Sequence, residues 1–342
     1  MADLMIGTSI LETADTRQIQ EAGIGWVRQS FGLPFEDRVG GMVSREYRKS
    51  KAWAQRLRAA GLRIMGITPL PGIGTMKPDA QGGLKLTWRN FLPDWCGALG
   101  SEEYLKTYEA VCTWLARDLK GLVPAWQIAN ELDIEQFGGP LNARQACDLI
   151  ARAARGLKST DPSLVVGHNP AGGGPHTSYF FGYLYGRGDG LLDYCGIDGY
   201  YGTWIAGGPQ DWPAQVAQLH ALTGKPIFIN EWGFSSAGNI MTAEEIASGA
   251  PVCQLRKWRH GWGRGHTPEG QADFVRETFE VLRPLRDILM GLFFYRWEDQ
   301  ERCWQCGSAE CPAETAWGLV DRQERPKPSF HAFKEAVRRL RG

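Results

Sequence analysis

The sequence has no surplus of either charge: Lys plus Arg and Asp plus Glu each number 38, for a formal net charge of zero over 342 residues. A nucleic-acid or anionic-membrane partner would call for a basic field, so neither is expected. Long apolar runs are missing too. Stretches such as GLFF (291–294) fall far short of the roughly 20 residues of a membrane-crossing helix. The opening MADLMIGTSI lacks the basic start and extended apolar segment of a secretory leader. The chain therefore reads as cytoplasmic as written, or as a secreted form whose leader has been removed. No low-complexity tract or internal repeat interrupts it, which argues against solenoids and propellers. The segment GTSILETAD (7–15) lacks the Gly-rich phosphate turn that opens most doubly wound nucleotide folds.

Apolar material is ample, at 43% hydrophobic residues, and it is periodically arranged. Strand-like runs fall at 4–10, 25–31, 63–70, 125–131, 164–170, 194–201, 226–232 and 291–297. Helical periodicity separates them over 14–22, 45–60, 102–120, 143–159, 213–222, 268–286 and 330–341, with a weaker stretch at 179–185. Ser101 and Thr267 stand where N-caps belong, while Gly23, Gly61, Gly121 and Gly224 follow helices as C-caps. Eight strand–helix units without a composition break predict an α/β fold, one (β/α)₈ barrel domain over residues 1–342. A doubly wound open sheet is the alternative. Segments after strands are long (71–100, 233–266, 298–328) and the returns short, which places function at the C-terminal ends of the strands.

Two of those ends are alike. AWQIANELD and KPIFINEWGF each run from an apolar strand into Asn-Glu, at Asn130-Glu131 and, 100 residues later, Asn230-Glu231. Strands four and seven of one barrel would bring these paired carboxyl groups to a common rim, the equipment for cleaving a glycosidic bond. Fourteen Trp is also high usage, and Trp88, Trp95, Trp204, Trp212, Trp262 and Trp304 lie in loop-like segments suited to stacking on sugar faces.

With IANE, FINEWG, FFYRWED and WGLVDRQERPKPSFHAF (317–333) in this order, the chain resembles the retaining β-glycosidases of the (β/α)₈ clan with catalytic glutamates on strands four and seven. The likeness spans essentially the whole chain and does not single out one family. It implies that Glu131 is the general acid/base and Glu231 the nucleophile, supported by Arg28 on strand two and by Tyr200, or its neighbour Tyr201, on strand six. It further implies that Asn130 binds the sugar 2-hydroxyl and that Trp297 forms an aromatic floor. His168 and Asn169 end strand five within reach of substrate. Many relatives carry His two residues before the strand-six Tyr, whereas this chain has Asp198, a departure that alters a substrate contact or retunes the acid. The implied reaction is double-displacement hydrolysis of a β-linked polysaccharide or oligosaccharide, endo-acting given the open Trp-bearing loops. Exo action and a binding-only barrel are the alternatives. A barrel for phosphorylated metabolites would want a phosphate loop that the segments after strands seven and eight do not provide.

No cofactor is required by such chemistry. Of eight cysteines, Cys112, Cys147 and Cys195 read as buried thiols, and Cys96 falls in a loop. Cys253, Cys303, Cys306 and Cys311 fall in the loops after strands seven and eight. They suit two disulfides, a structural zinc site or free thiols, bracing a loop in each case. Oligomeric state is not legible.

Overall fold

The computed structural model describes residues 4–172, 176–186, 188 and 190–341. Its frame is eight parallel strands: β1 (Met5–Thr8), β2 (Trp26–Ser30), β3 (Arg63–Ile67), β4 (Ala125–Gln127), β5 (Val165–Gly167), β6 (Cys195–Gly199), β7 (Ile227–Trp232) and β8 (Leu289–Phe294). The helices between and after them are α1 (Thr16–Glu21), α2 (Arg45–Ala59), α3 (Glu102–Asp118), α4 (Ala143–Thr160), α5 (Thr177–Tyr185), α6 (Trp212–Thr223), α7 (Pro268–Leu282) and α8 (Pro328–Arg341). Strand order is β5-β4-β3-β2-β1-β8-β7-β6, a nearly closed (β/α)₈ barrel. Between β5 and β6, individual contacts replace a ladder. The Asp193 N–H donates to the Val166 carbonyl at 2.7 Å, and the Asp198 N–H to that of Pro170 at 2.9 Å. An Asp193 carboxylate oxygen accepts from the Val166 N–H at 2.8 Å. The strands come close because Gly196 has no side chain: a Cβ there would sit 2.1 Å from the His168 carbonyl oxygen.

Strand alternation sorts the core into two shells. Trp26, Met65, Ala125, Tyr194, Phe228 and Phe293 point inward and fill the barrel base. Their sequence neighbours Val27, Ile64, Trp126, Cys195, Ile229 and Leu292 point outward to the helices. Each aliphatic side chain so buried contributes roughly 1.5–3 kcal/mol relative to exposure. The expected caps form: the Ser101 hydroxyl accepts from the Tyr104 N–H at 3.1 Å and the Thr267 hydroxyl from the Gly270 N–H at 2.9 Å. Gly61 and Gly224 take the left-handed conformation that ends a helix, at φ +87° and +64°.

The region 71–100 differs from the expected loop. Gly72–Pro78 and Leu84–Asn90 pair as an antiparallel hairpin over the C-terminal rim. Its turn is closed by Asp79, whose carboxylate accepts from the N–H groups of Gln81 and Gly83. The run GIGTMKP has two glycines and little alternation, so it carries no strand signal of its own.

Candidate active site

β4 is shorter than its apolar run. The ladder stops at Gln127, and Ala129 and Glu131 take positive φ of 50° and 39°, sparsely populated for residues with side chains. Hydrogen bonds hold the departing chain: the Ala129 N–H donates to the Thr68 hydroxyl at 2.9 Å and the Glu131 N–H to the Asn169 carbonyl at 3.1 Å. Non-glycine residues held in this region cost of order 1–3 kcal/mol each and cluster at working sites.

β7 delivers Glu231 by a different device. Ile197 pairs with Ile229 and Asp198 with Glu231, so Asn230 is an extra residue in the ladder to β6. The pairing with β8 is offset over the same stretch. Strict alternation from inward Phe228 would turn Asn230 in and Glu231 out. The bulge turns both inward and sends Trp232 outward against Phe279 and Phe294.

Around these ends lies a buried polar network. An Arg28 Nη1 lies 2.5 Å from a Glu231 carboxylate oxygen, with both side chains at most one-tenth exposed. The Tyr200 hydroxyl donates to the other oxygen. Arg28 also donates through Nη2 to Asn130 Oδ1 at 2.6 Å and through Nε to Gln127 Oε1 at 2.8 Å. Asn130 Oδ1 accepts additionally from Asn169 at 2.9 Å. That leaves Asn130 Nδ2 turned toward Glu131, 3.4 Å from Oε2. Asp198 accepts from Asn169 through Oδ2 at 2.6 Å, while its buried Oδ1 has no hydrogen-bond partner among the described residues. Gln127, which carried no functional signal, joins the halves, since its Oε1 also accepts from Asn230 at 3.0 Å.

Burial sets the proton affinities. Burial first, then the negative charges of Glu231 and Asp133, hold the Glu131 carboxyl well above the ordinary glutamate range. Asp198 is held high by burial and by Glu231 and Glu131. Burial alone would lower Arg28, but the carboxylates of Glu231 and Asp198 outweigh it and raise its affinity for the proton. Tyr200 is raised by burial and the negative Glu231.

Arg28, Asn130, Glu131, Tyr200 and Glu231 all line one cavity of about 510 Å³, within the range of small-molecule sites. Trp204 and Trp304 stand in its wall, with Phe137 at 6.1 Å from Trp304. The other Trp residues read as loop aromatics do not: Trp212 begins α6 and is fully buried, and Trp262 packs on Phe274. Several expected substrate contacts are set behind the wall. Asp198 and Asn169 support Asn130 and Glu131 from below. His168 bonds through Nδ1 to the Ile128 carbonyl at 2.7 Å, and burial lowers its pKa to about 4. Trp297 is corrected outright. The chain leaves the ladder after Tyr295, the Trp297 N–H donates to the Ser9 carbonyl, and the ring packs on Phe330 at 5.9 Å. Tyr295 takes the place on the cavity wall, bonded to Glu314, a further lining carboxyl, at 2.8 Å. Tyr201 turns away to Gln215, which decides between the two tyrosines.

Beside the cavity, the sulfur atoms of Cys253, Cys303, Cys306 and Cys311 lie within 4.8 Å of one another, and none is in a disulfide. Cys96, Cys112, Cys147 and Cys195 are buried elsewhere.

No family model matches the chain, and no curated protein matches it in sequence. Solved structures share its fold. A glucosidase from Croceicoccus marinus superposes with a TM-score of 0.63 at 15% identity over 98% of this chain and 67% of that one. An exo-beta-1,4-mannosidase from Opitutaceae bacterium strain TAV5 gives 0.64 at 15% identity, over 98% of this chain and 59% of that one. A beta-galacturonidase from Eisenbergiella tayi, bound to galacturonate, gives 0.58 at 14%, over 97% and 50%. The chain thus spans half to two thirds of the length of these glycoside hydrolases, with which it shares a parallel eight-stranded barrel.

Proposed function

We propose that this chain is a retaining β-glycosidase acting on β-linked glycans, with residues 1–342 as one catalytic unit. The observation that carries the reading is the unequal environment of two glutamates on one cavity. Glu131 is buried beside other carboxyl groups, which favours a proton on it. Glu231 is gripped by a guanidinium and a phenol, one on each oxygen. Glu131 gives its proton to the leaving oxygen while Glu231 attacks the anomeric carbon. Water, deprotonated by Glu131, then releases the sugar with its configuration retained. Asn130 has its oxygen fully engaged, so its amide N–H groups are left for a sugar hydroxyl and Glu131. The glycosidase chemistry of the fold neighbours supports the same reaction class.

Enclosure of the cavity bears on where a glycan is cut. Ile73 and Met76, Ile134 and Phe137, Trp204, Val252 and Trp304 come from the segments after β3, β4, β6, β7 and β8 and surround it. A ring of walls favours removal of terminal sugars over the endo action suggested by loop composition. Assay of a β-glycoside panel tests the whole reading, with product configuration followed by NMR. Glu231→Gln should abolish turnover. Glu131→Gln should lose roughly 10²–10⁴-fold on substrates whose leaving group needs protonation, while on activated substrates, whose leaving group departs unaided, azide should restore turnover by replacing water at the glycosyl-enzyme. Unchanged turnover in both variants, or first-formed product of inverted configuration, overturns the mechanism. Binding without turnover by the parent would establish a binding barrel instead.

A further inference from the structure

The geometry points to a tetrahedral zinc site formed by Cys253, Cys303, Cys306 and Cys311, clamping the wall of the cavity. Four thiolates about 2.3 Å from a central zinc lie about 3.8 Å from one another. The Cys253 and Cys311 sulfurs are 3.8 Å apart, and every pair is within 4.8 Å. Two disulfides would instead draw the sulfurs into separate pairs at about 2.05 Å. Here all four converge on one point.

The local chain is shaped for a metal. Cys303 and Cys306 have the two-residue spacing of a zinc knuckle, and the turn between them is closed by the Gly307 N–H donating to the Cys303 carbonyl at 2.7 Å. Gly307 completes the turn at φ +80°. On binding Zn²⁺ the four thiols release their protons to solvent and act as thiolates. An all-sulfur tetrahedral set with three members buried suits zinc and not a hard cation.

Its position gives the site a purpose. Cys253 comes from the segment after β7 and the other three from the segment after β8, so the ion would fasten two long loops. The hairpin joins them: the Met76 N–H donates to the Gln305 carbonyl at 2.7 Å and the Leu84 N–H to the Gln254 side chain at 3.1 Å. Met76, Cys253, Trp304 and Gln305 face the cavity. Tyr200, which touches Glu231, lies in the same buried cluster as Cys253, Cys303 and Cys311. The metal would therefore be structural, holding the wall and the tyrosine's packing in place.

The test is elemental analysis of the full chain, expressed with zinc supplementation and purified without chelator. One zinc per chain is expected, released when an organomercurial titrates four thiols. Cobalt grown in its place should give tetrahedral ligand-field bands and thiolate charge transfer. Cys306→Ser, at the least buried ligand, should lose the ion while circular dichroism reports a folded barrel. A metal-free wild-type chain, bound iron in place of zinc, or two disulfides among these residues by mass analysis would each overturn the assignment. None of these readouts depends on glycosidase activity, so the site and the proposed reaction fail or stand separately.

Discussion

Replacing Asp198 by Asn isolates the effect of a proton that the fold traps. Asp198 is fully buried, and burial, Glu231 and Glu131 all favour its neutral form. An amide reproduces that form: one end accepts from Asn169 as the carboxyl does at 2.6 Å, and neither end carries charge. A carboxyl that keeps its proton in the fold and loses it when unfolded weakens the fold as pH rises from its unfolded pKa, near 3.8, toward its folded one. Asparagine carries no such penalty. Each pH unit in that window shifts the difference in unfolding free energy by about 1.4 kcal/mol in favour of the variant. The gap between variant and parent should therefore widen as pH rises above the unfolded pKa, until the folded carboxyl itself ionises. Glu131, raised for similar reasons, is present in both proteins and largely cancels. Urea unfolding of both chains across this range, read by tryptophan fluorescence, measures the difference. A difference that is flat, or that turns against the variant as pH rises, means that Asp198 is ionised in the fold and refutes the argument.

Tyr200→Phe removes the phenol that donates to Glu231; a hydrogen bond to a charged group is worth about 1.5–3 kcal/mol, so kcat should fall by about 10–150-fold. Full turnover by that variant in steady-state kinetics would show that Tyr200 does not support the nucleophile. Gly196→Ala would place a methyl group 2.1 Å from the His168 carbonyl oxygen and 2.6 Å from Asn230 Oδ1. Overpacking of this kind costs about 1–3 kcal/mol or more, seen as a lower urea midpoint at unchanged slope, and parent-like stability would contradict the close approach of β5 and β6.

Much of the frame was legible because it follows period and punctuation. Seven of the eight strands lie within their apolar runs, β8 starts two residues ahead of its run, and the caps at Ser101 and Thr267 form as their residue types demand. Glu131, Glu231, Arg28 and Tyr200 were legible as strand-end polar residues, and they do meet on one cavity. Their chemical roles are proposals for the assays above. What escaped sequence reading depends on non-local geometry. The 72–90 hairpin lacks strand composition and is held by its turn and by Gln305. Trp297 belongs to a run whose alternation points it inward, but the chain leaves the ladder before it. Gln127 reads as one polar residue in a strand, and only the arrival of Arg28 and Asn230 from distant strands makes it a hub. Cysteine spacing left pairing and metal open, because convergence of two loops is invisible along the chain.

The extra residue in β7 means that the direction of Glu231 is governed by count, not by side-chain identity. The outward positions Ile227 and Ile229 tolerate exchange among aliphatics of similar volume, since they serve only to fill space beneath the helices. Pairing the same residues without the bulge would restore regular alternation from Phe228, turning Glu231 toward the helices and Trp232 into the cavity. Along this strand, register is therefore the guarded quantity, and spelling is comparatively free.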